Sequence, residues 1–315
     1  MSIILVTTTL LGVCSTSWIM IWVCLEMNTL AMCWIIAKDM KIEKMQEYTT
    51  LLYYLVQVMA SIILLLTTNM EVSLATCMIM SATLMMKMGV WPIHSWYMKL
   101  IKSMEMKQAS MLIVMTWQKI LPVMLLMSMA KTPEMKTVML VMALITLVAP
   151  LSKLVKNLSM KSIMALSSFN NNGWLMISTV ASMQTFLAFL TLYSSSLLIT
   201  LKSMKFMSTK SMSVALPFWS ATLLVSNMGG LPPLTMFWSK ILVVKSMMSS
   251  TIPTELAFVL MITACYFLYH YLWMVMNEMS WSPMKTQNVV TKEKESNIIM
   301  MISMTSILGF MLLLT

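Results

Sequence analysis

The sequence predicts an all-α protein that crosses a membrane many times, as a polytopic bundle of about eleven transmembrane helices. Three compositional features lead to this prediction. Hydrophobic residues make up 59% of the 315 residues, charged residues only 10%, and the mean hydropathy is +0.83. A soluble domain carries roughly 25% charged residues, and a core of this size could not bury so much apolar side chain. We therefore expect one transmembrane domain, 1–315, without soluble domains or strands.

Eleven apolar segments are candidates for helices that cross the bilayer, which requires about 20 mostly apolar residues each. They lie near 2–14, 18–37, 48–68, 71–98, 109–130, 135–152, 160–180, 185–201, 214–244, 252–276 and 297–315. The first is short, so the sequence leaves open whether it crosses fully. The fourth and the ninth are long and contain prolines: Pro92 in one, Pro232 and Pro233 in the other.

The distribution of lysine supports this number of spans. All 21 basic residues are lysines; fifteen lie in every second connection, three in the remaining connections and three inside spans. Such an asymmetry is expected when the basic loops stay on the inner side of the membrane. The N-terminus is then predicted inside and the C-terminus outside. The net charge of +10 does not indicate nucleic-acid binding, because the lysines form no patch interleaved with aromatic residues.

Four ionisable residues fall at membrane depth: Glu26, Lys87, Lys119 and Lys240. Lys119 lies twelve residues from the lysines at both ends of its span, and Lys87 lies twelve residues before Lys99. Twelve helical residues rise about 18 Å, so both are too deep to extend to the lipid headgroups. Charged residues at this depth are costly and usually mark ion pathways.

Each of the four also has a purely structural interpretation. A lysine near a helix end commonly extends its ammonium to the headgroups, and this alternative is strongest for Lys240, whose depth is uncertain. Glu26 could serve only as the partner in a buried ion pair. The functional interpretation is favoured because burial disfavours a charged amine and a nearby carboxylate restores it. One carboxylate and three amines on separate helices could therefore bind and release protons.

Two of the lysine-bearing spans are predicted to be interrupted. Pro92 follows Lys87 by five residues, and Gly229, Gly230, Pro232 and Pro233 precede Lys240. Broken helices at corresponding positions of two halves indicate an inverted-repeat transporter and its ion path. We therefore predict two inverted five-helix repeats, near 1–130 and 134–276, followed by a terminal helix at 297–315.

Five strings resemble successive landmarks of one family: WVCLEMNTLA, KMGVWPIHSW, MTWQKILP, MALSSFNNNGWLM and NMGGLPPLTMFWSK. The family is that of NADH-ubiquinone oxidoreductase chain 2, the animal mitochondrial antiporter-like membrane subunit of respiratory complex I. The resemblance extends in order from about residue 20 to 245. It implies an antiporter-like fold and a location in the membrane arm of the complex, in the mitochondrial inner membrane with the lysine-rich loops on the matrix side.

The resemblance also implies roles for particular residues. Glu26, Lys87, Lys119 and Lys240 match the residues that transfer protons in this family. NADH, flavin, iron–sulfur clusters and ubiquinone are expected on other subunits, so that this chain binds no cofactor and no metal. The expected partners are the other membrane-arm and accessory subunits of complex I, together with membrane lipids.

One position departs from the family pattern. Many relatives have a histidine where this chain has Asn171, in the stretch Asn170–Asn172. An amide can hold water but cannot titrate, so a proton-carrier role at this position is in doubt. His94 and His270 are expected to be packed or interfacial, not replacements.

Three functions are compatible with these observations. The favoured one is a proton-pumping module driven by redox chemistry on other subunits. An independent ion/proton exchanger and a structural spacer between neighbouring subunits are the alternatives. Three deep lysines argue against the spacer because charge at that depth is expensive to keep.

Overall fold

A computed structural model describes residues 2–39, 44–71, 73–90, 94–104, 113–130, 132–151, 160–209, 226–232, 234–249, 253–281 and 309. Within these ranges every regular element is helical, and no strand is present. The prediction of an all-α helical protein is confirmed. The bilayer accounts for this choice, because a helix satisfies its own backbone hydrogen bonds where water cannot.

Eleven α-helices and one π-helical turn lie within the described ranges. The α-helices are α1 (Ser2–Cys14), α2 (Trp18–Asp39), α3 (Lys44–Thr68), α4 (Leu74–Met88), α5 (Ser95–Ser103), α6 (Gln118–Met129), α7 (Pro133–Val148), α8 (Met160–Ala181), α9 (Met183–Thr209), α10 (Thr235–Ser249) and α11 (Glu255–Trp281). The π-helical turn, Ile113–Trp117, leads directly into α6.

Most predicted spans correspond to one helix each. The fourth, 71–98, instead contains two helices: α4 ends at Met88 and α5 begins at Ser95. The ninth, 214–244, is described from Ser226 onward, where a short helical segment ends at Gly229 and α10 begins at Thr235. The eleventh, 297–315, lies outside the described residues except for Gly309, as does Pro92 of the fourth.

The chain divides into two compact units. Unit 1 comprises Met1–Pro150 with Ser159–Val180, and unit 2 comprises Leu151–Leu158 with Ala181–Thr315. In unit 1, α2 packs on α1 and α3, α3 also packs on α4 and α5, and α4 packs on α6. In unit 2, α9 packs on α10. The division into units does not test whether the two predicted halves have similar structures, so the two inverted repeats stay a prediction.

Candidate functional site

Each of the three predicted lysines lies on a helix whose described length is below the 20 or so residues that cross a bilayer. Lys87 is on α4, with 15 residues, Lys119 on α6, with 12, and Lys240 on α10, with 15. Four other helices contain apolar segments of 19 to 21 residues, long enough to cross a membrane. Glu26 lies on one of these, α2. Lys87 and Lys240 therefore occur beside interrupted helices, Lys119 lies just after a π-helical turn that continues into α6, and Glu26 lies on a continuous helix.

The interruption after Lys87 is a Schellman turn, the hydrogen-bonded end that a left-handed glycine gives a helix. Gly89 has φ +72°, its N–H donates to the Met86 carbonyl, and the Val90 N–H donates to the Met85 carbonyl. Only glycine adopts this φ without strain. Lys87 thus lies in the last turn of α4, where the helix dipole favours positive charge.

The interruption before Lys240 has the same hydrogen-bond pattern. Gly230 has φ +87°, its N–H donates to the Asn227 carbonyl, and the Leu231 N–H donates to the Ser226 carbonyl. The Lys240 side chain extends back to this helix end, and its Nζ donates a 2.9 Å hydrogen bond to the Gly229 carbonyl. Although the lysine precedes one break and follows the other, each is placed at the C-terminal end of a helical segment, Lys87 by its position in the last turn of α4 and Lys240 by its hydrogen bond to the Gly229 carbonyl.

Lys240 is only 5% exposed, whereas Lys245, five residues on, is exposed. The alternative in which Lys240 extends to the headgroups is therefore wrong, because its ammonium is directed at a backbone carbonyl inside unit 2. The start of α10 is held by Asn227, whose Oδ1 accepts from Thr235 Oγ1 at 2.8 Å and from the Met236 N–H at 3.4 Å.

Glu26 and Lys87 interact electrostatically in unit 1. The Glu26 carboxylate is close enough to act on the Lys87 ammonium through the low-dielectric interior. In the described part of the chain, neither Lys87 Nζ nor Glu26 Oε1 has a hydrogen-bond partner, although both atoms are buried. Lys87 is 2% exposed. The two groups are thus coupled by charge without being locked into a hydrogen-bonded pair.

Lys119 follows the π-helical turn directly and is also 2% exposed. π-Helical segments occur frequently at functional sites, and Pro122 further removes one hydrogen bond from the first turns of α6. Lys119 Nζ donates a 2.7 Å hydrogen bond to Asn172 Oδ1 on α8 and lies 5.0 Å from the centroid of the Tyr97 ring. Tyr97 in turn accepts a hydrogen bond from Ser168 through its hydroxyl.

Two polar residues of α3 connect the surroundings of Lys87 and Lys119. Gln57 donates from Nε2 to the Lys87 carbonyl at 3.2 Å, and the Tyr53 hydroxyl accepts from Gln118 Nε2 at 2.7 Å. Tyr53 and Gln57 are one helical turn apart and therefore share a face. This link between the two lysine sites was not predicted from the sequence.

Glu26, Lys87 and Lys119 thus belong to unit 1, and Lys240 belongs to unit 2. His94 begins α5 and its ring packs edge-on to Phe169, with centroids 5.3 Å apart. The His270 ring lies 4.5 Å from that of Tyr266. Both contacts agree with the expectation that these histidines are packed against aromatic neighbours.

The residues that sequence reasoning missed are neutral and polar: Tyr53, Gln57, Tyr97, Gln118, Ser168 and Asn227. The sequence does mark these residues, because each places a polar group within an apolar segment. Only their position next to a lysine distinguishes them from the many other polar residues in these helices.

Comparison with known proteins places this chain in a family. A sequence model described as NADH:quinone oxidoreductase/Mrp antiporter, transmembrane, matches residues 66–266. NADH-ubiquinone oxidoreductase chain 2 of Lycodon semicarinatus is 31% identical over 308 residues, covering 90% of this chain and 87% of the relative.

Two solved structures share the fold at low sequence identity. A chain of respiratory complex I from Thermus thermophilus superposes with a TM-score of 0.75 at 14% identity, covering 96% of this chain and 75% of that chain. A chain of an archaeal membrane-bound sulfane sulfur reductase gives a TM-score of 0.77 at 10% identity, covering 98% of this chain and 72% of that chain. Since the family model covers more than half of the sequence and a relative aligns over nearly all of it, this chain belongs to the family of transmembrane NADH:quinone oxidoreductase and Mrp antiporter proteins.

Proposed function

We propose that this chain is a core membrane-arm subunit of a proton-pumping NADH:ubiquinone oxidoreductase in the mitochondrial inner membrane. It translocates protons through Glu26, Lys87, Lys119 and Lys240. The relatives that align over most of its length bear the name of a subunit of that enzyme. One observation carries the proposed mechanism: three lysines are buried, two of them beside a helix end closed by a left-handed glycine and the third just after a π-helical turn.

The chemistry follows from the low dielectric of the site. A lysine ammonium loses most of its hydration when it is buried, so its neutral amine becomes accessible, and a nearby carboxylate favours the charged form again. Glu26 acts on Lys87 in this way without a hydrogen bond to hold the pair. A small change in their separation therefore alters the affinity of Lys87 for a proton.

We further propose an order of events. Quinone chemistry on other subunits changes the interaction of Glu26 with Lys87, which changes the proton affinity of Lys119 and then of Lys240. The link through Gln57, Tyr53 and Gln118 supports coupling between the first two lysines, because it joins the backbone of Lys87 to the residue before Lys119. The Lys240 step rests on its burial and on the family match.

The partners and sidedness belong to the same proposal. Helices α1 to α3 expose large apolar side chains, among them Ile3, Ile19 and Leu51 at 76%, 75% and 57%. Such a surface suits lipid and neighbouring membrane-arm or accessory subunits. The lysine-rich loops lie on the matrix side by the positive-inside rule. NADH, flavin, iron–sulfur clusters and ubiquinone are bound by other subunits and not by this chain.

The proposal is tested by the number of protons translocated per electron pair in sealed membranes that contain the assembled complex. Lys119→Ala is compared with the native protein and with Lys136→Ala, which removes an equal charge from the first turn of α7. Assembly is checked on native gels. We expect Lys119→Ala to lower the ratio, or to stop pumping and NADH oxidation together, and Lys136→Ala to leave both unchanged. A normal ratio in assembled Lys119→Ala would refute the role of this lysine.

A second candidate is independent ion/proton exchange, since the family includes Mrp antiporters. Reconstitution of this chain alone into vesicles distinguishes the two. Exchange driven by an imposed ion gradient, without the remaining subunits, would favour the antiporter.

A further inference from the structure

Three consecutive asparagines occupy the middle of α8, where apolar residues are expected. Asn170, Asn171 and Asn172 are 3%, 1% and 0% exposed. Four of their polar atoms have no hydrogen-bond partner among the described residues: Asn170 Oδ1, Asn171 Oδ1 and Nδ2, and Asn172 Nδ2. Burial of a polar group without a partner is costly. Each such group in a folded protein therefore requires an explanation.

Two of these asparagines share a face of α8 with Ser168, because residues three and four positions apart are neighbours on a helix. Asn172 accepts the hydrogen bond from Lys119, and Ser168 donates at 2.9 Å to the Tyr97 hydroxyl, whose ring lies under the same ammonium. The opposite side of the helix is closed, since a Cβ on Gly173 would lie 2.5 Å from Leu147 Cγ. Asn172 and Ser168 thus both border the Lys119 site, and Asn171 lies on the same side of α8.

The donors and acceptors on this face identify the ligand. A lysine has only donors, so it engages the Asn172 oxygen and leaves the Asn172 Nδ2 donor directed elsewhere. Asn171 presents one acceptor and a donor group, all unpartnered. A buried polar site that offers both donors and acceptors is typically occupied by water.

We propose that Ser168, Asn171 and Asn172 form a water-binding site beside Lys119, in which Asn172 is a positioning residue that holds the amine against this water. The inference rests on the proposed role of Lys119. Its consequence is that a proton reaches or leaves Lys119 through water held by neutral amides, with no titratable side chain of α8 involved.

An amide suits this task better than a carboxylate. The Asn172 oxygen accepts an N–H from Lys119 whether the lysine is charged or neutral, so the geometry survives transfer of the proton. A carboxylate at the same position would form a charge-assisted hydrogen bond with the ammonium. At low dielectric such a pair would retain the proton.

The water site is tested directly by a density map of the assembled native complex at a resolution that shows ordered water. We expect water within about 3.2 Å of the Asn171 amide and of Asn172 Nδ2. In Asn171→Leu the water should be absent and pumping slower. A native map that shows protein side chains but no water at these amides would overturn the proposal.

The positioning role is tested with Asn172→Asp and Asn172→Leu, measuring protons translocated per electron pair against pH. For Asn172→Asp we expect the pH profile to move toward alkaline pH by about one unit or more, since the carboxylate retains the proton. For Asn172→Leu we expect a lower ratio at every pH. Thr179→Val, a buried polar change two turns along α8, is the control and should match the native profile.

Combining Asn172→Leu with Lys119→Ala distinguishes the positioning role of Asn172 from the carrier role of Lys119. If Asn172 acts through Lys119, Asn172→Leu adds no further loss to Lys119→Ala. Additive losses would overturn the positioning role while leaving the proposed function intact. Normal pumping in Lys119→Ala would refute the proposed carrier, and water in the native map would then still stand as a finding.

Discussion

The Lys240 ammonium donates a 2.9 Å hydrogen bond to the Gly229 carbonyl, across the break that separates a short helical segment from α10. That carbonyl is at the C-terminal end of the segment, where the backbone carries partial negative charge. Lys87 lies in the last turn of α4, at a helix end with the same hydrogen-bond pattern. The two helix ends thus share one backbone pattern, but only the Lys240 ammonium donates a hydrogen bond to a helix-end carbonyl among the described contacts.

Gly230→Ala should disrupt the hydrogen bond between the Lys240 ammonium and the Gly229 carbonyl. A methyl group at Gly230 would lie 3.0 Å from Lys240 Nζ, and an L-residue at φ +87° costs roughly 1–2 kcal/mol. We expect the assembled variant to pump fewer protons per electron pair. Ser249→Ala, at the exposed end of α10, is the control. An unchanged ratio in Gly230→Ala would show that the Lys240–Gly229 contact is dispensable.

Asn227→Leu should loosen the start of α10. The amide oxygen caps this helix through Thr235 and Met236, and loss of such a cap costs about 1 kcal/mol. We expect the assembled complex to inactivate at a lower temperature, measured as residual NADH oxidation after heating. Thr235→Ser retains the hydroxyl and should keep native heat resistance. Equal inactivation temperatures for Asn227→Leu and the native protein would contradict the capping role.

Glu26→Gln should abolish the electrostatic interaction between Glu26 and the Lys87 ammonium. The substitution preserves the shape of the side chain and removes the charge that acts on the buried ammonium. We expect a reduced pumping ratio with assembly intact, whereas Glu255→Gln, at an exposed position in the first turn of α11, should have no effect. If both variants pumped normally, Glu26 would be a structural residue only.

Tyr53→Phe and Gln118→Leu should be non-additive. Each leaves the other partner of a 2.7 Å hydrogen bond unsatisfied, at a cost of about 1–3 kcal/mol. The double variant removes both polar groups and should lose less coupled activity than the sum of the single losses. The rate of proton pumping is measured in the native complex, in the two single variants and in the double variant, which together form a double-mutant cycle. Strict additivity would mean that this contact does not connect the two lysine sites.

Composition and lysine spacing were enough to predict the helical class, most of the helices and the four ionisable residues at depth. The reason is that the bilayer imposes strong rules on a chain, namely long apolar helices and rare internal charge. Gly230 likewise lies at the break predicted before Lys240, because a left-handed turn requires it, whereas the break after Lys87 was predicted from Pro92 and occurs at Gly89. These constraints act locally along the chain, so they can be recognised from the amino-acid sequence.

The partners of those charges were decided only by tertiary structure. Nothing in the string SSFNNNGW indicates that Asn172 accepts from Lys119, fifty-three residues away, or that Ser168 donates to the Tyr97 hydroxyl beside the same ammonium. The direction of Lys240 was also undetermined, because a lysine can extend toward headgroups or toward a broken helix. Such choices depend on which helices pack together and at what rotation, and hydrophobicity alone does not specify either.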